Sequence, residues 1–407
     1  MTPQLSILLG SGFSIPERLP RVSEINDKFC NLEKDNFSQY PANGYSKIYQ
    51  NSNVGFSNYD KSFAERFTSF YIEKTLNGDT SKFDYERFYD YISEFLFFNI
   101  NTEQISEFCQ IYRNSLPVMS GSWTDYDLIN SFKRIFNHIV AELLFVTRYF
   151  NEGGFSDYPQ YNQFIDFLEK TLVSKFINVH TLNHDLFFEY IGNMHTGLGQ
   201  YFTDGFTECG SPYYGEVPFN FELSNDKITK TYRVRLPFYN GIYQNKLRLF
   251  KLHGSINYIN LRLTKTNEII KIKTNFGVQG YFSETYNPET QSYNYSDSFC
   301  DYNPDYLTGE TEKIRQYNNP FYDTILSHFK KNLQNSNHLI VIGYGFHDRA
   351  INEFIENNLL LYPNKKLTIV GISKPDTIFF KKYPNQINFI DKGVIGLTLP
   401  EWLNIVQ

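Results

Sequence analysis

Short apolar runs that end at a glycine or at polar residues are the feature of this sequence that most constrains its fold. Leu5–Leu9, Leu339–Ile342 and Leu367–Val370 are largely apolar, and a glycine follows each of them. Phe176–Thr181 and Leu247–Leu252 are less apolar but also lead directly into polar residues. Continuous apolar runs of this length are typical of strands buried on both faces of a parallel sheet. The sequence therefore predicts an α/β fold with a Rossmann-like parallel sheet flanked by helices.

After the first predicted strand, the apolar spacing changes to that of helices. Phe88, Ile92 and Phe95 fall on one helical face, and the segment is far longer than an ordinary crossover between parallel strands. It is therefore predicted to be a large helical insertion, with a scaffold or an oligomer surface as its favoured role. The expected division of the chain is a Rossmann-like domain at 1–30 and 170–407, a helical insertion at 31–169, and loop or hairpin insertions over the candidate site at 192–245 and 260–322.

Composition argues against several classes of protein. The formal net charge of -6 does not suit a protein whose main role is to neutralise nucleic-acid phosphates. The four cysteines are scattered without a C-x-x-C pair, so neither a zinc module nor a disulfide framework is indicated. The chain begins with an apolar strand that lacks the features of a signal peptide, and its apolar runs are too short to span a membrane. We therefore expect a cytoplasmic protein.

The first candidate motif directly follows the first predicted strand. Gly10 to Ser14 read Gly-Ser-Gly-Phe-Ser, and small residues here would let the backbone approach a pyrophosphate while consecutive N–H groups bind its oxygens. The third glycine of a dinucleotide fingerprint is replaced by Ile15, and a proline follows. A tight turn that closes the strand explains the same residues equally well.

A second motif, Thr181 to Asp185, lies where a predicted strand gives way to a helix. Asn183 and Asp185 place an amide and a carboxylate two residues apart, where they could orient a ribose or a water molecule. Either residue could instead cap the helix that follows.

The third motif contains the histidine that we expect to be catalytic. His253 and Gly254 follow the run Leu247–Leu252, so they belong to a third loop on the same edge of the sheet. An imidazole there suits proton exchange with a hydroxyl near neutral pH. The other seven of the eight histidines are interpreted as structural residues.

The fourth motif follows the run Leu339–Ile342. Gly343 and Gly345 would allow a nucleotide to approach the backbone, with Asp348 and Asn352 at the start of the next helix. A glycine-lined turn with Asp348 as the helix cap is the favoured interpretation when this motif is considered alone.

In this order, the four motifs together resemble those of the sirtuin family, especially its bacterial, defence-associated NADase branch. Gly10 to Ser14 is similar to the family's Gly-Ala-Gly-x-Ser, and Thr181 to Asp185 is similar to its Thr-Gln-Asn-x-Asp. His253 with Gly254 is similar to the catalytic His-Gly. The segment from Gly343 is similar to the Gly-Tyr-Ser-Phe-x-Asp-x-x-Ile-Asn stretch of the bacterial branch.

The resemblance covers residues 1–25 and about 170–400 and leaves the helical insertion unmatched. The four zinc-binding cysteines of the family's protein deacylases are missing, Leu182 replaces the usual glutamine, and no Asp-Phe-Arg follows the first proline. The missing cysteines favour hydrolysis over deacylation and imply a site without a metal.

The resemblance implies that NAD+ is the substrate, with its pyrophosphate against the first motif. Asn183 would orient the acceptor water or ribose, Asp185 would support its loop, and His253 would act as the catalytic base. The adenosine half would extend towards the fourth motif. The implied NAD+ contacts are Gly10, Ser11, Gly12, Phe13, Ser14, Thr181, Gly254, Gly343, Tyr344 and Asn352.

The resulting hypothesis is an NAD+ glycohydrolase that forms nicotinamide and ADP-ribose, and the resemblance implies a role in antiphage defence through NAD+ depletion (abortive infection). Because uncontrolled depletion would kill the host, we expect autoinhibition that is relieved by homo-oligomerisation or by a partner protein such as an ATPase or a short Argonaute. Two alternatives stay open. One is an NAD-dependent protein deacylase or ADP-ribosyltransferase, and the other is a non-catalytic module that senses NAD+ or ADP-ribose.

Overall fold

Seven parallel strands form the central sheet of the structure. It is a computed structural model that describes residues 3–32, 58–115, 123–144, 158–223, 226–263, 266–274, 278–301 and 304–406. Every neighbouring pair in this sheet is parallel. The strands are β1 Gln4–Leu9, β2 Phe176–Thr181, β3 Phe202–Thr203, β8 Leu247–Lys251, β16 His338–Ile342, β17 Lys366–Gly371 and β18 Ile387–Asp391.

The strand order confirms the predicted Rossmann-like α/β fold. The order across the sheet is β18-β17-β16-β1-β2-β8-β3, so the chain builds outwards from β1 first to one side and later to the other. Such an order has a switch point between β1 and β16, and open parallel sheets bind ligands at the carboxyl edge of their switch point. The first and fourth motifs therefore lie on either side of it.

Alternate residues of the central strand enter different hydrophobic cores. In β1, Leu5, Ile7 and Leu9 belong to the larger core, which also contains side chains of the helical insertion. Leu8 points to the opposite face and packs in a second core with residues of β16 and β17. Because both faces of the sheet are covered, β1 and β16 are largely apolar.

Helices fill the long connection between β1 and β2. Phe67, Phe88 and Phe132 are buried there in mutual contact, with ring centroids 5.1 to 5.9 Å apart. Parts of the predicted insertion, at 33–57, 116–122 and 145–157, lie outside the described residues. The helices of this connection are α1 Val22–Cys30, α2 Asn58–Leu76, α3 Tyr85–Phe98, α4 Thr102–Asn114, α5 Asp125–Leu144 and α6 Asn162–Leu172.

Further helices follow the strands of the sheet. They are α7 Phe187–Met194, α8 Thr196–Gly199, α9 Glu310–Gln316, α10 Pro320–Asn335, α11 Arg349–Ile355, α12 Phe379–Lys382 and α13 Leu399–Ile405. None of the helices in the described ranges is both long enough and apolar enough to cross a membrane.

Antiparallel strands lie mainly in the regions predicted as loop or hairpin insertions, with β9 and the start of β10 between those regions. They form a five-stranded sheet, β14-β10-β11-β7-β4, a four-stranded sheet, β13-β12-β5-β6, and the pair β15-β9. Their bounds are β4 Phe206–Thr207, β5 Tyr213–Leu223, β6 Asp226–Arg235, β7 Phe238–Tyr239, β9 Gly254–Ser255, β10 Tyr258–Arg262, β11 Ile269–Lys273, β12 Gln279–Asn287, β13 Ser292–Asp297, β14 Phe299–Asp301 and β15 Asp305–Tyr306.

The sheet contains a histidine that cannot easily ionise in the folded state. His180 in β2 is fully buried, and its ring lies 5.0 Å from the Phe250 ring and 4.7 Å from the Phe329 ring. Burial, followed by the nearby His328, lowers the pKa of His180 to about 3. The unfolded chain therefore binds a proton at His180 below about pH 6.5, whereas the folded chain does not until far lower pH.

We expect His180→Leu to reduce the acid sensitivity of the fold. In the unchanged protein, this histidine should lower the free energy of unfolding by roughly 2 kcal/mol between pH 7.5 and pH 5, and the variant should lose that part of the pH dependence. Urea unfolding at the two pH values measures the difference, with the half-exposed His195 changed to leucine as the control. An identical pH dependence in the His180 variant would contradict this account.

Candidate active site

Glycines hold the turns after β1 and β16 in direct backbone contact. The Gly12 N–H donates to the Gly343 carbonyl at 3.0 Å, and the Gly10 N–H donates to the Ile342 carbonyl at 2.9 Å. A Cβ on Gly12 would lie 2.7 Å from the Gly343 Cα. A Cβ on Gly343, whose φ is +65°, would lie 2.5 Å from the Gly12 Cα. The close approach of the two turns therefore requires glycine at these positions.

Four of the five N–H groups in the first motif already donate to carbonyls within these two turns. Residues 11–13 form a short 3-10 helix, in which the Phe13 N–H donates to Gly10 at 2.9 Å and the Ser14 N–H donates to Ser11 at 3.0 Å. The Phe13 ring is fully buried in an aromatic cluster, whereas Ser11 is exposed. Ser11 is thus the residue of this motif whose side chain is most accessible to a ligand.

Asn183 joins the second motif to the first. Its Nδ2 donates to the Gly10 carbonyl at 3.0 Å and to Ser14 Oγ at 3.1 Å, and its backbone N–H donates to Thr181 Oγ1 at 3.1 Å. No described residue donates a hydrogen bond to its Oδ1. The amide is therefore fixed in orientation, and its oxygen can accept a hydrogen bond from a ligand or a water molecule.

Asp185 closes the second motif and anchors the helix that follows. Its Oδ1 accepts a hydrogen bond from the Phe187 N–H at 2.9 Å, and its carbonyl accepts one from the buried Lys251. Lys251 also pairs with Glu189 at 2.9 Å. Burial raises the pKa of Asp185, and Lys251 opposes that effect. These contacts connect the loop after β2 to the end of β8. Asp185 therefore holds this loop in position.

His253 and Asp348 form a buried pair, called here the His–Asp pair. Asp348 Oδ2 lies 3.2 Å from His253 Nε2, and the two side chains are 5% and 4% exposed. The Tyr317 hydroxyl lies 3.2 Å from the same nitrogen. Since neighbouring strands are about 4.8 Å apart, β8 and β16 are separated by roughly 14 Å. The loops of these strands must therefore reach towards each other past the ends of β1 and β2.

Charges near the His–Asp pair favour a neutral imidazole and an ionised carboxylate. Burial lowers the pKa of His253, although the hydrogen bond to Asp348 raises it in part. Burial alone would raise the pKa of Asp348, but His253 and the Lys313 ammonium, at 3.5 Å, outweigh it and hold that pKa well below its ordinary value. The imidazole is therefore ready to accept a proton near neutral pH.

The second role of Asp348 was not predicted from the sequence. It caps α11 as expected, because the Ile351 N–H donates to Oδ1 at 3.0 Å. Its other oxygen faces His253, which belongs to a loop far away in the sequence. The cap signal is local and could be recognised, whereas the pairing depends on how two distant loops meet.

Other predicted NAD+ contacts have structural roles in their loops. The Tyr344 hydroxyl donates to Asn352 Oδ1 at 3.0 Å and accepts from the Asp348 N–H at 3.2 Å. Gly254 has a φ of +76°, and a Cβ there would lie 2.4 Å from the Asp305 carbonyl oxygen. The contacts of these residues with NAD+ stay predictions.

The helical insertion holds α9 against the His–Asp pair. Asp90 of α3 accepts hydrogen bonds from the N–H groups of Glu310 and Thr311, at 3.0 and 2.8 Å, at the start of α9. Lys133 of α5 pairs with Glu312 at 3.1 Å. The insertion therefore fixes α9. Lys313 of this helix contacts Asp348, and Tyr317, which follows the helix, contacts His253.

Comparisons with known proteins show that this chain has weak structural similarity to solved structures. No protein-family model and no curated protein sequence matches the chain. Among solved structures, a Sir2 homologue in complex with NAD is 8% identical with a TM-score of 0.38, covering 100% of this chain and 90% of that chain. A mutant Sir2 homologue in complex with ADP-ribose is 8% identical with a TM-score of 0.35, covering 100% and 92%. The NAD and the ADP-ribose in these complexes are ligands of those two proteins.

The carboxyl edge of the sheet carries an exposed serine, a fixed amide and a buried imidazole. Ser11, Asn183 and His253 come from three different loops, and the His184 ring lies 6.3 Å from the His253 ring. In the described ranges, no three His, Cys, Asp or Glu side chains are grouped so that they could hold a metal ion. The arrangement is chemically suited to orienting a water molecule or hydroxyl and accepting its proton.

We expect Gly12→Ala to destabilise the protein by about 2 kcal/mol or more, because backbone atoms of Gly343 must move to admit the methyl group. Gly371→Ala is the matched control, since its Cβ would meet only the Ser373 carbonyl oxygen at 3.5 Å, an ordinary contact. Thermal and urea unfolding measure both variants. Equal stability of the two would show that the turns are not closely packed.

Proposed function

We propose that the chain hydrolyses NAD+ to nicotinamide and ADP-ribose at the carboxyl edge of the parallel sheet. The observation that carries the proposal is the buried His–Asp pair, in which His253 Nε2 lies 3.2 Å from Asp348 Oδ2, next to the loop that presents Asn183. In this proposal His253 is the proton acceptor, and the Asn183 amide, whose orientation is fixed, positions the water. Hydrolysis of a glycosidic bond needs both, one to activate the water and one to position it.

In the proposed complex, NAD+ lies across the switch point of the sheet. The pyrophosphate lies against residues 10–14, where Ser11 is exposed and offers its hydroxyl. The adenosine half extends towards Gly343, and the nicotinamide ribose lies near Asn183 and His253. This placement follows the general location of nucleotides in open parallel sheets.

In the proposed reaction, water attacks C1′ of the nicotinamide ribose. The glycosidic bond breaks, and its electron pair leaves with nicotinamide, which departs neutral from an oxocarbenium-like transition state. Asn183 Oδ1 orients the water, and His253 accepts its proton either directly or through a ribose hydroxyl. We assign the ring proton to Nε2, which lies 3.2 Å from the Asp348 carboxylate, so that the accepting lone pair is on Nδ1.

Water is the proposed acceptor because the sequence lacks the features of a deacylase site. The resemblance described above includes zinc-binding cysteines in protein deacylases, and the four cysteines here have no such spacing. Transfer to an acyl-lysine or a protein would use the same bond cleavage with a different acceptor. The proposal therefore specifies the acceptor, water, as well as the substrate, NAD+.

We further propose that the resting enzyme is autoinhibited, and that it depletes NAD+ during antiphage defence once it is released. Tyr317 lies 3.2 Å from His253 Nε2, and an ion pair ties α9 to the insertion, so contacts within the resting protein already hold the His–Asp pair. Homo-oligomerisation, or a partner such as an ATPase or a short Argonaute, would release this restraint. The defence role and the partners come from the resemblance alone.

The decisive test follows nicotinamide and ADP-ribose by chromatography after incubation of the protein with NAD+, with and without an acetylated peptide. We expect both products without peptide and a loss of roughly 100-fold or more in His253→Ala, since general base catalysis is worth that much. His195→Ala, a half-exposed histidine of the α7–α8 connection, is the control and should keep full activity.

Products that form only with the peptide would instead indicate a deacylase or transferase. Binding of NAD+ by calorimetry without any product would fit either a sensor or the restrained enzyme without its activator, and turnover that is equal in His253→Ala would refute the proposed base.

Asp348→Asn tests the positioning role of the carboxylate. The asparagine keeps an oxygen that can cap α11 but removes the charge that raises the pKa of His253. We expect kcat to fall by at least roughly 10- to 100-fold, which is the typical loss when a group that orients a metal-binding histidine is removed. The rise of kcat/KM with pH, which lies below pH 6.5 because burial lowers the pKa of His253, should move to still lower pH. A fall in rate with an unmoved pH profile would limit Asp348 to a structural role.

A further inference from the structure

A cavity lies beside α7, and neither residue of the His–Asp pair lines it. Its volume is about 370 Å³, and it is bounded by α7, the turn between β3 and β4, and the strand β11. None of its lining residues belongs to the first or fourth motif, and neither Asn183 nor His253 contributes to it. Cavities of this size are typical of sites for small molecules.

The inner wall of the cavity contains a network of charges that satisfy one another. Glu189 pairs with Lys251 at 2.9 Å and with Lys273 at 2.8 Å, and Lys273 also pairs with Asp204. Burial would raise the pKa of Glu189, but the two ammonium groups lower it to about 2. Two carboxylates and two ammonium groups leave this network without net charge. Glu208, which is exposed at the cavity, gives it an additional negative charge.

One polar side chain of the lining is buried without a complete set of partners. Asn257 is 8% exposed and lines the cavity, and no hydrogen bond to its Oδ1 is made within the part of the chain that the structure describes. An unsatisfied buried amide oxygen costs about 1 to 3 kcal/mol. A ligand with an N–H group would remove that cost.

The remaining walls are apolar and aromatic. Leu186, Tyr190, Met194 and Phe206 line the cavity, and the Phe206 ring already lies 4.9 Å from the Lys273 ammonium. Aromatic rings attract cations through their electron-rich faces. Because Lys273 already occupies the Phe206 ring, these walls suit the apolar or aromatic body of a ligand, and a ligand's ammonium group is left to Glu208 and Asn257.

The geometry points to a binding site for a small organic cation, in which an ammonium N–H group donates to the side-chain amide of Asn257. The Glu208 carboxylate supplies the opposite charge, and the apolar part of the ligand packs against α7 and Phe206. The site is independent of NAD+ cleavage, so it can be tested whether or not the chain is an NADase.

Calorimetry and ligand-observed NMR with 2-phenylethylammonium test the site directly. We expect saturable binding with a Kd of about 1 mM or below, and much weaker binding of the anion 3-phenylpropionate and the neutral 3-phenylpropan-1-ol. Asn257→Leu should weaken binding by roughly tenfold or more. Glu208→Gln should weaken it by roughly two- to fivefold, as expected for a charge near solvent.

Glu289→Gln makes the same change of charge in the exposed turn between β12 and β13 and should bind like the unchanged protein. Because Glu208 is exposed, its variant gives a result even if Asn257→Leu does not fold. Binding that is absent up to about 20 mM, equal for the cation and the anion, or unchanged in Glu208→Gln would overturn the proposal.

Discussion

Direct backbone contact between the turns after β1 and β16 is the constraint on which the rest of the site depends. A side chain at Gly12 or Gly343 would occupy space that is already filled by the backbone of the opposite turn. The contact places the Gly10 carbonyl where Asn183 can bind it, and Ser14 provides a second acceptor for the same amide. The orientation of the Asn183 oxygen is therefore a consequence of glycine packing at the switch point, before any ligand is present.

The central strands could be predicted from the sequence because their pattern is local. Five predicted runs match β1, β2, β8, β16 and β17 closely, and helical spacing indicated α3. β18 and β3 were not predicted, and each omission has a physical reason. Ile387–Asp391 lies at the edge of the sheet and is only partly buried, so its apolar pattern is weak. Phe202–Thr203 is two residues long, which is too short to show any period.

The candidate site was predictable only in part, because motifs show which loops matter but not how their side chains meet. The glycines were recognisable, yet the sequence could not distinguish a ligand cradle from close packing, and their backbone contacts account for them without a ligand. The Phe13 ring lies in the core and Ser11 is exposed, a difference that the motif alone does not contain. The pairing of His253 with Asp348 depends on loops that meet across two intervening strands, and no local pattern encodes it.

Charge compensation links the helical insertion to the chemistry of the site. Asp348 is ionised and buried, so it needs the nearby ammonium of Lys313. Lys313 is itself largely buried and is balanced by Glu86 of α3 and by Glu310. Removing one partner of a buried ion pair typically costs 3 to 5 kcal/mol, because it leaves an uncompensated charge. The insertion is therefore more than a cover for apolar surface, since one of its carboxylates helps to set the charge state of the pair around His253.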